Sequence, residues 1–419
     1  MKTRYQIIES NATPFGGLYV ISEFLQSFGF YALFQSLFGN FRKVRKYQPC
    51  HNIGLLIATI LSGGNRLYDL EQLAHDPVLP QLFAQGEVPQ DTTVRDDLQK
   101  MGTMDVPRRE LLFQLNEQLF KHLKLKTITI DIDGTALPVE GHQENAEKGY
   151  CPAAPGNRCY QSLSAICDET ETALLEETRP GDTHCASGSI DFVRTLLDRF
   201  SPQLEKIVLR LDKGFFSSKL LRELESYPNV IYELAVPLKG WLKQKVRALK
   251  YKHYHGSERE YASFGNLKRR YYVERTPLKA GSQPDLFDDQ RYRYRMVVSN
   301  DLKRQPHTLF QHYNKRGRDE KSIGELKQEY ALGSMVSGDY SVTKALVWVS
   351  FLAFTIIGMF RRVALRLEYA RYRLRRLRFK LFSAVAYFAD HARQSTLKLA
   401  EPLMGSMRFK IILQRAWSF

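Results

Sequence analysis

Cysteine is scarce in this sequence, and the spacing of the few cysteines does not fit a common cysteine-based site. The chain has 419 residues and only five cysteines, and no two of them form a C-x-x-C pair. Cys151, Cys159 and Cys167 are eight residues apart, but no neighbouring pair of histidines completes a zinc pattern. We therefore predict reduced thiols in a reducing compartment, which argues against a disulfide-stabilised secreted domain.

Long apolar runs are also rare. The most apolar stretch, residues 345–360, has about 16 residues, whereas a membrane-spanning helix needs about 20. We predict a buried helix that packs on a catalytic sheet, with a membrane span as the alternative. The first residues are polar and show no apolar signal-peptide core, so we expect a cytoplasmic protein that does not bind a membrane.

Acidic residues are outnumbered by basic ones. The sequence has 61 Lys and Arg against 45 Asp and Glu, a formal net charge of +16 and a pI of about 9.5. Such a protein is attracted to polyanions, of which nucleic acid is the first candidate and a ribosomal or membrane surface the alternative. Because 43% of the residues are hydrophobic, the chain can form two or three domains with buried cores.

Four polar residues share a spacing that would place them on one face of a helix. If residues 306–330 are largely helical, a turn of about 100° per residue puts Tyr313, Arg316, Glu320 and Lys327 at roughly 0°, 300°, 340° and 320°. A carboxylate among cations is suited to binding a divalent metal beside phosphates. The alternative is a solvated helix with Glu–Lys pairs, which is common in charged helices.

Two upstream segments carry aspartates at or after apolar strands. In the first segment, three isoleucines alternate with polar residues (Ile128, Ile130 and Ile132 with Thr129, Asp131 and Asp133). A repeat of two residues is typical of a strand with one buried side. Asp131 and Asp133 therefore share one face. In the second, an apolar run from residue 206 ends in Asp212 and turns at Gly214.

The pattern Y-x2-R-x3-E-x6-K resembles the signature of DDE transposases from bacterial insertion sequences. The resemblance implies an α/β, ribonuclease-H-like catalytic core, with Asp133, Asp212 and Glu320 as the catalytic acids. In that family the acids hold two Mg2+ ions, for which Mn2+ is expected to substitute, about 3.5–4 Å apart for in-line phosphoryl transfer. Tyr313, Arg316 and Lys327 would then grip the transposon end.

The choice of the first acid has an alternative. In the family the first acid commonly precedes a Gly or Thr pair, as Asp133 precedes Gly134 and Thr135 here, so we favour Asp133 over Asp131. Asp131 is the alternative metal ligand, or a carboxylate that orients the ligands.

A second resemblance competes at the same strand. Asp131-Ile132-Asp133-Gly134-Thr135 also resembles the D-x-D-G-T motif of haloacid-dehalogenase-type phosphatases, in which Asp131 would attack a phosphate and Asp133 would act as acid and base. Such enzymes need a later strand that ends in an acidic pair. The downstream pair, Asp288 and Asp289, lies in a polar segment without a preceding apolar strand, so this function is the weaker hypothesis.

The remaining patterns predict four regions. We expect a helical DNA-binding region over residues 1–124, a catalytic core over 125–236 and 301–360, a β-rich insertion over 237–300, and a basic helical region over 361–419. In the first region we predict a helix capped by Asp91 or Thr92. Its basic residues are predicted to contact phosphates, with a solvated loop as the alternative (Arg42, Lys43, Arg45 and Lys46).

Aromatic and basic residues alternate in the predicted insertion and provide stacking planes and phosphate partners. The candidates for a DNA-contacting aromatic are Trp241, Tyr251, Tyr254, Tyr292 and Tyr294.

The predicted C-terminal region is strongly basic. Residues 361–380 contain nine Lys or Arg and one Glu, and one face of that region would follow a DNA backbone.

The sequence therefore predicts a transposase that binds the terminal inverted repeats of its element. It would cleave DNA with Mg2+ and join the freed 3′-hydroxyl to target DNA. Double-stranded DNA is the expected partner, with a homodimer in the DNA complex and a nucleoid-associated location in the bacterial cytoplasm. The alternatives are a catalytically silent DNA-binding protein derived from a transposase, and the phosphatase.

Overall fold

A computed structural model describes most of the chain. The described residues are 11–39, 41–43, 46–184, 186–254, 258–278, 291–366, 368–391 and 394–419. Arg45, Cys185, Asp288 and Asp289 lie outside these ranges.

The helices and strands have the following bounds. The helices are α1 (Tyr19–Ser27), α2 (Phe30–Phe38), α3 (Pro49–Ser62), α4 (Asp69–Ala74), α5 (Leu79–Ala84), α6 (Asp91–Gly102), α7 (Asp105–His122), α8 (Ser189–Phe200), α9 (Ser218–Leu224), α10 (Trp241–Arg247), α11 (Pro306–Tyr313), α12 (Gly317–Glu329), α13 (Tyr340–Val363), α14 (Leu374–Leu377) and α15 (Ser406–Trp417). The strands are β1 (Ala12–Thr13), β2 (Thr127–Val139), β3 (Glu147–Lys148), β4 (Arg158–Cys167), β5 (Thr172–Pro180), β6 (Lys206–Leu211), β7 (Val230–Ala235), β8 (Lys252–His253), β9 (Glu260–Gly265), β10 (Arg270–Pro277), β11 (Tyr292–Ser299), β12 (Ala386–His391) and β13 (Gln394–Leu399).

The chain divides into two compact units with boundaries that differ from the predicted regions. Unit 1 comprises Met1–Asn116, Leu137–Ala146 and Gly324–Phe419, and unit 2 comprises Glu117–Ala136 and Glu147–Ile323. The predicted catalytic core and β-rich insertion thus belong to unit 2 up to residue 323, except for Leu137–Ala146, which belongs to unit 1. The local sequence pattern did not predict these two units, because each unit is assembled from segments that are distant in sequence.

The sheet of unit 2 confirms the predicted α/β class. Its order includes β5-β4-β2-β6-β7, in which β6 pairs in parallel with both β2 and β7. Helix α8 leads into β6, and α9 connects β6 to β7, so each parallel strand is reached through a helix. This is a ribonuclease-H-like core, and the strands predicted to carry Asp133 and Asp212 are neighbours in it.

The predicted insertion continues this sheet. Strand β11 pairs antiparallel with β7, and β10, β9 and β8 follow in order. The prediction of basic, aromatic strands is therefore correct for β10 and β11. The predicted β-rich insertion over 237–300 includes these strands, and backbone hydrogen bonds between β11 and β7 join them to the sheet of unit 2.

Strand β2 is buried on both sides in its first half. Ile128, Ile130 and Ile132 are fully buried, but Thr129 and Asp131 on the other side are also buried. The alternating pattern had suggested one buried side. Strands in the middle of a parallel sheet have both faces covered, and that explains the difference.

Residues 306–330 are helical but interrupted. Helix α11 ends at Tyr313, a 3-10 turn covers Asn314–Arg316, and α12 starts at Gly317. The assumed uniform turn of an α-helix therefore does not hold between Tyr313 and Glu320, because a 3-10 turn rotates the chain by more per residue.

Unit 1 is built around helix α13, which packs on α6, α3 and α15. Among the described residues, α13 is the one helix long and apolar enough to span a membrane by length and composition, with a mean hydropathy of 1.8. The helix has 24 residues, so the prediction that this apolar segment is too short to span a membrane was wrong. However, 94% of its apolar window is buried, which confirms a buried helix, and its partners are helices of unit 1.

The ends of unit 1 differ from prediction in two further places. The region 361–419 is not entirely helical, because β12 and β13 form a hairpin and β12 also pairs with β1. Helix α6 begins at Asp91, but its N-cap residue is Gln90 and no side chain caps it. Neither Asp91 nor Thr92 is therefore the cap.

Arg42 has a structural partner in unit 1. Its guanidinium forms an ion pair with the buried Asp97 and donates to the Tyr47 carbonyl at 2.7 Å, while Asn52 donates to the same carboxylate at 2.7 Å. This ion pair favours a structural role for Arg42, and its predicted contact with phosphates stays a prediction.

Candidate active site

Asp133 and Asp212 follow the last residue pair of the β2–β6 ladder. Ile132 pairs with Leu211 in the final parallel register position, so the next residue of each strand is an aspartate. Strand β6 ends there, and Asp212 begins a short 3-10 turn that includes Gly214. Strand β2 continues to Val139, so Asp133 lies within its strand and not at its end.

Arg316 connects the helical segment to the first acid. Its Nη2 atom lies 2.9 Å from Oδ1 of Asp133. Burial raises the pKa of Asp133, Arg316 and the Gly134 amide oppose this shift, and the nearby charges of Asp212 and Glu320 raise the pKa further. Glu320 is exposed, and its grouping with Asp133 and Asp212 in one metal-binding site stays a prediction.

Tyr313 has a defined role in the packing of this site. Its hydroxyl donates to the Leu211 carbonyl at 3.1 Å, one residue before Asp212. Burial raises the pKa of Tyr313 to about 12, so the phenol keeps its proton and remains a donor. Tyr313 therefore attaches the end of α11 to the end of β6.

Lys327 and Trp241 are the other two predicted DNA-binding residues. Lys327 is in the last turn of α12, in the part of that helix that belongs to unit 1. Trp241 begins α10 in unit 2, is 67% exposed, and has the Lys245 ammonium 5.7 Å from its ring centroid.

Asp131 is held by an arginine that sequence reasoning did not identify. Nε and Nη2 of Arg210 donate to the two carboxylate oxygens of Asp131 at 2.6 and 2.5 Å. The two residues are register partners on β2 and β6, and both are buried. The signal was present as an arginine inside the apolar run before Asp212, because a buried guanidinium requires a nearby carboxylate.

This arrangement weighs against the phosphatase hypothesis. A nucleophilic aspartate needs free access to a phosphate, whereas both oxygens of Asp131 accept hydrogen bonds from Arg210 inside the sheet. The same contacts weigh against Asp131 as a metal ligand. Asp133 is the more accessible of the two acids, with 25% of its side chain exposed.

A cleft of about 700 Å³ opens beside Asp212 in unit 2. Its described lining residues include five Lys or Arg and three Phe or Tyr residues (Lys213, Lys239, Arg293, Arg295, Arg316, Phe216, Tyr294 and Tyr313). Tyr294 is thus the predicted aromatic that reaches the cleft in the described chain, whereas Tyr251 and Tyr292 stack on Arg275 with centroid distances of 4.0 and 4.2 Å. The cations make this cleft suitable for an anionic ligand.

The chemistry of the acids fits a divalent metal. Asp133, Asp212 and Glu320 provide only carboxylate oxygens, the donors that Mg2+ prefers. In the described parts of the chain, no three His, Cys, Asp or Glu side chains are close enough to form a metal cluster as they stand. Arg316 balances the charge of Asp133 in this conformation, so metal binding would require a rearrangement of this ion pair.

Two aspartates after the last register pair of neighbouring parallel strands, an arginine beside the first of them and a basic cleft beside the second form a candidate active site. The family profile described as "Transposase DDE domain group 1" matches residues 10–416. The chain therefore belongs to this family of DDE transposases.

Comparison with known structures and curated proteins adds little to this assignment. A cryo-EM structure of a piggyBac transposase synaptic complex with hairpin DNA has a TM-score of 0.47 and 13% identity, covering 88% of this chain and 79% of that chain. A Mos1 transposase paired-end complex with the left transposon end has a TM-score of 0.18 and 14% identity, covering 46% and 59%. No curated protein matched the sequence.

Proposed function

We propose that this transposase binds the terminal inverted repeats of a bacterial insertion sequence, cleaves DNA at them with Mg2+ and transfers the freed 3′-hydroxyl to target DNA. The observation that carries the proposal is the position of Asp133 and Asp212 directly after the last register pair of β2 and β6, with Arg316 2.9 Å from Asp133. A basic cleft adjoins Asp212, and the motif spacing is the reason for proposing Glu320 as the third acid. The Tyr-Arg-Glu-Lys spacing supports the insertion-sequence type.

Each side chain has a distinct task in this proposal. Asp133, Asp212 and Glu320 would hold the metal, which when bound would activate the attacking oxygen and neutralise charge on the phosphate. Arg316 would pair with a phosphate through two parallel hydrogen bonds once it leaves Asp133. Tyr313 fixes the helix end to β6, and the cations of the cleft would orient the DNA backbone.

The proposal extends to the assembly and its location. Two ends must be joined, so we expect a homodimer on DNA in the bacterial cytoplasm. Lys327 and Trp241 are proposed to contact DNA outside the cleft.

The test is cleavage of a labelled transposon end by Asp133→Asn, Asp212→Asn and Glu320→Gln. We expect each variant to lose cleavage at least 1,000-fold, in the range of roughly 10³ or more for the loss of a key charge-stabilising group, while its affinity for DNA stays within about threefold. Glu205→Gln is the matched control, because Glu205 is an exposed acid of unit 2 paired with Lys126. It should cleave like the wild type.

The same assay separates the alternative functions. A wild type that binds transposon ends but does not cleave them with Mg2+ or Mn2+ would be a silent DNA-binding derivative. Cleavage that persists in Asp133→Asn and disappears in Asp131→Asn, with both variants folded, would make Asp131 the first ligand and contradict the assignment above.

A further inference from the structure

The segment of residues 366–380 in unit 1 forms an exposed arginine surface. In its described part five arginines are exposed, and one acid, Glu368, accompanies them (Arg366, Arg371, Arg373, Arg375 and Arg376). The apolar residues between them, Leu374 and Leu377, are fully buried. Hydrophobic anchors therefore hold the backbone while the guanidinium groups point to solvent.

Carboxylates of α12 hold the backbone of this arginine surface. The Leu374 amide donates to Oε1 of Glu325 at 3.0 Å, and the Arg375 amide donates to Glu329. Arg378 adds a third anchor, since it donates to the Leu61 and Ile60 carbonyls at 2.8 and 3.1 Å. Glu325 also forms ion pairs with Arg361 at 2.5 Å and with Arg373 at 4.0 Å, whereas Glu329 binds the backbone amide of Arg375 and not its guanidinium.

Two aromatic rings lie near one of the exposed arginines, Arg376. The Arg376 guanidinium lies 5.7 Å from the ring centroid of Tyr372 and 5.9 Å from that of Phe379. Tyr372 and Tyr369 contact each other edge to face at 5.4 Å. Stacking restricts the guanidinium, so less entropy is lost when it binds an anion.

We propose that this arginine surface is a second DNA-binding site that contacts the phosphates of duplex DNA without reading base sequence. The inference rests on the proposed function, because DNA is the multiply charged anion that the enzyme would bind. Several exposed guanidinium groups on an anchored backbone, with one exposed acid among them, match a repeating phosphate backbone. The site lies on unit 1, whereas the acids and their cleft lie on unit 2.

The experiment compares the full-length protein with the variant Arg371→Gln/Arg375→Gln/Arg376→Gln. The matched control is Lys100→Gln/Lys398→Gln/Lys410→Gln, which removes the same charge from exposed residues on other elements of unit 1. On a non-specific duplex, the arginine variant should bind at least about tenfold more weakly. Its log–log salt slope should be shallower by about 2 to 3, since each lost phosphate contact contributes about 0.9. The control should resemble the wild type.

Each outcome has a defined meaning. Equal behaviour of the arginine variant and the control would overturn the inference while the wild type still binds DNA. A loss of binding to anionic lipid vesicles, without a change in DNA binding, would assign the surface to a membrane and also overturn it. If the wild type itself binds no DNA, the proposed function fails first.

A second, independent observation concerns the buried charge row beneath the acids. Asp131, Arg210 and Glu233 are register partners on β2, β6 and β7, and all three are buried. Burial would lower the pKa of Arg210, but its hydrogen bonds with Asp131 raise the pKa, so the guanidinium stays charged. Two residues further along, β2 carries Asp133 and Asp212 follows β6.

Arg210 also binds helix α11, which precedes the helix that carries the third acid. Its Nη1 donates to the His312 carbonyl at 3.2 Å, and its Nη2 lies 3.1 Å from Asp168. The His312 ring contacts Glu233 at 2.9 Å, so α11 is attached to two strands just before Tyr313. One guanidinium therefore links β2, β6, the turn after β4 and the end of α11.

We infer that Arg210 is a positioning residue that sets the distances between the metal-binding acids. It does not touch the reacting groups itself. A lysine keeps the charge but cannot hold Asp131 with two parallel hydrogen bonds and also reach His312. The acids of Arg210→Lys would then be less well arranged for a metal, even in a folded protein.

The test measures Mn2+ binding by calorimetry and the Mg2+ requirement of cleavage. We expect Arg210→Lys to weaken Mn2+ binding and to raise the half-maximal Mg2+ concentration at least about tenfold, with DNA affinity within about twofold. Arg179→Lys is the control, because Arg179 is a buried arginine of unit 2 that binds Glu177 at 2.8 Å and the Ser187 carbonyl at 2.6 Å. It should lower Tm without changing the metal requirement.

A wild-type metal requirement in folded Arg210→Lys would overturn this inference. If that variant does not fold, Asp131→Asn/Arg210→Met removes both buried charges and takes its place under the same criterion. A wild type without metal-dependent cleavage would instead contradict the proposed function.

Discussion

Asp133 is affected by opposing electrostatic forces. Burial and the neighbouring acids raise its pKa, while Arg316 lowers it. Because an acid with a raised pKa keeps its proton to higher pH, the carboxylate that a metal requires is lost earlier as the pH falls. The pH dependence of the enzyme therefore follows from the surroundings of this residue.

We predict that the Mg2+ requirement of cleavage rises as the pH falls through the raised pKa of Asp133. In Arg316→Gln the cation that lowers this pKa is removed, so the acidic limb of the profile should move to higher pH. Arg316→Lys keeps a positive charge and should move it less. Cleavage rates over a pH series at several Mg2+ concentrations would measure this, and coincident acidic limbs in all three proteins would contradict the prediction.

A second prediction at this scale separates positioning from metal binding. Arg316→Lys keeps the charge but loses the fork geometry, so cleavage should fall about tenfold or more while DNA affinity falls less. Glu320→Gln should eliminate metal-dependent cleavage with little loss of binding, because an amide is a poor substitute for a carboxylate ligand. Cleavage and gel-shift assays on one labelled end measure both. Wild-type behaviour of both variants would make this segment an ordinary solvated helix.

At the scale of elements, α6 and α13 approach each other closely in unit 1. Gly102 is the last residue of α6, and a Cβ atom there would lie 1.8 Å from the Ser341 carbonyl oxygen at the start of α13. Only a residue without a side chain allows this approach. Helix α12 provides a comparison, since a Cβ at Gly324 meets no atom within 4 Å.

We predict that Gly102→Ala lowers the free energy of unfolding by about 1–3 kcal/mol, because overpacking forces the helices apart. Gly324→Ala should be neutral or stabilising by up to about 1 kcal/mol, as expected for alanine in an open helix position. Urea unfolding of the two variants measures the difference. Equal stabilities would mean that the α6–α13 contact adapts without cost.

At the scale of the whole molecule, the formal charge of +16 is the dominant property. Basic residues line the cleft of unit 2 and form the arginine surface of unit 1. Binding to a polyanion releases counterions in proportion to the phosphates contacted. The affinity for DNA should therefore depend strongly on salt.

We predict a log–log salt slope near −5 or steeper for binding to a transposon end, which corresponds to six or more phosphate contacts at about 0.9 each. Fluorescence anisotropy between 50 and 200 mM salt, roughly the range over which such contacts weaken markedly, would measure the slope. A flat response would point away from DNA as the main partner.

The sequence by itself determined the strands that carry Asp133 and Asp212, the helical segment with Tyr313, Arg316 and Glu320, and the buried helix α13. These features depend on local periodicity, which is set by the backbone geometry of strands and helices. The motif spacing also pointed to the DDE transposase family, to which the chain belongs.

Only the tertiary structure decided how those segments are combined. It paired Asp131 with Arg210, joined β11 to β7, and placed Lys327 in unit 1 while Glu320 stayed in unit 2. It also showed that Arg42 forms an ion pair with Asp97. These contacts join residues up to 79 positions apart in the case of Arg210 and Asp131. Ion pairs and strand order depend on which segments meet in space, and local periodicity carries no information about that.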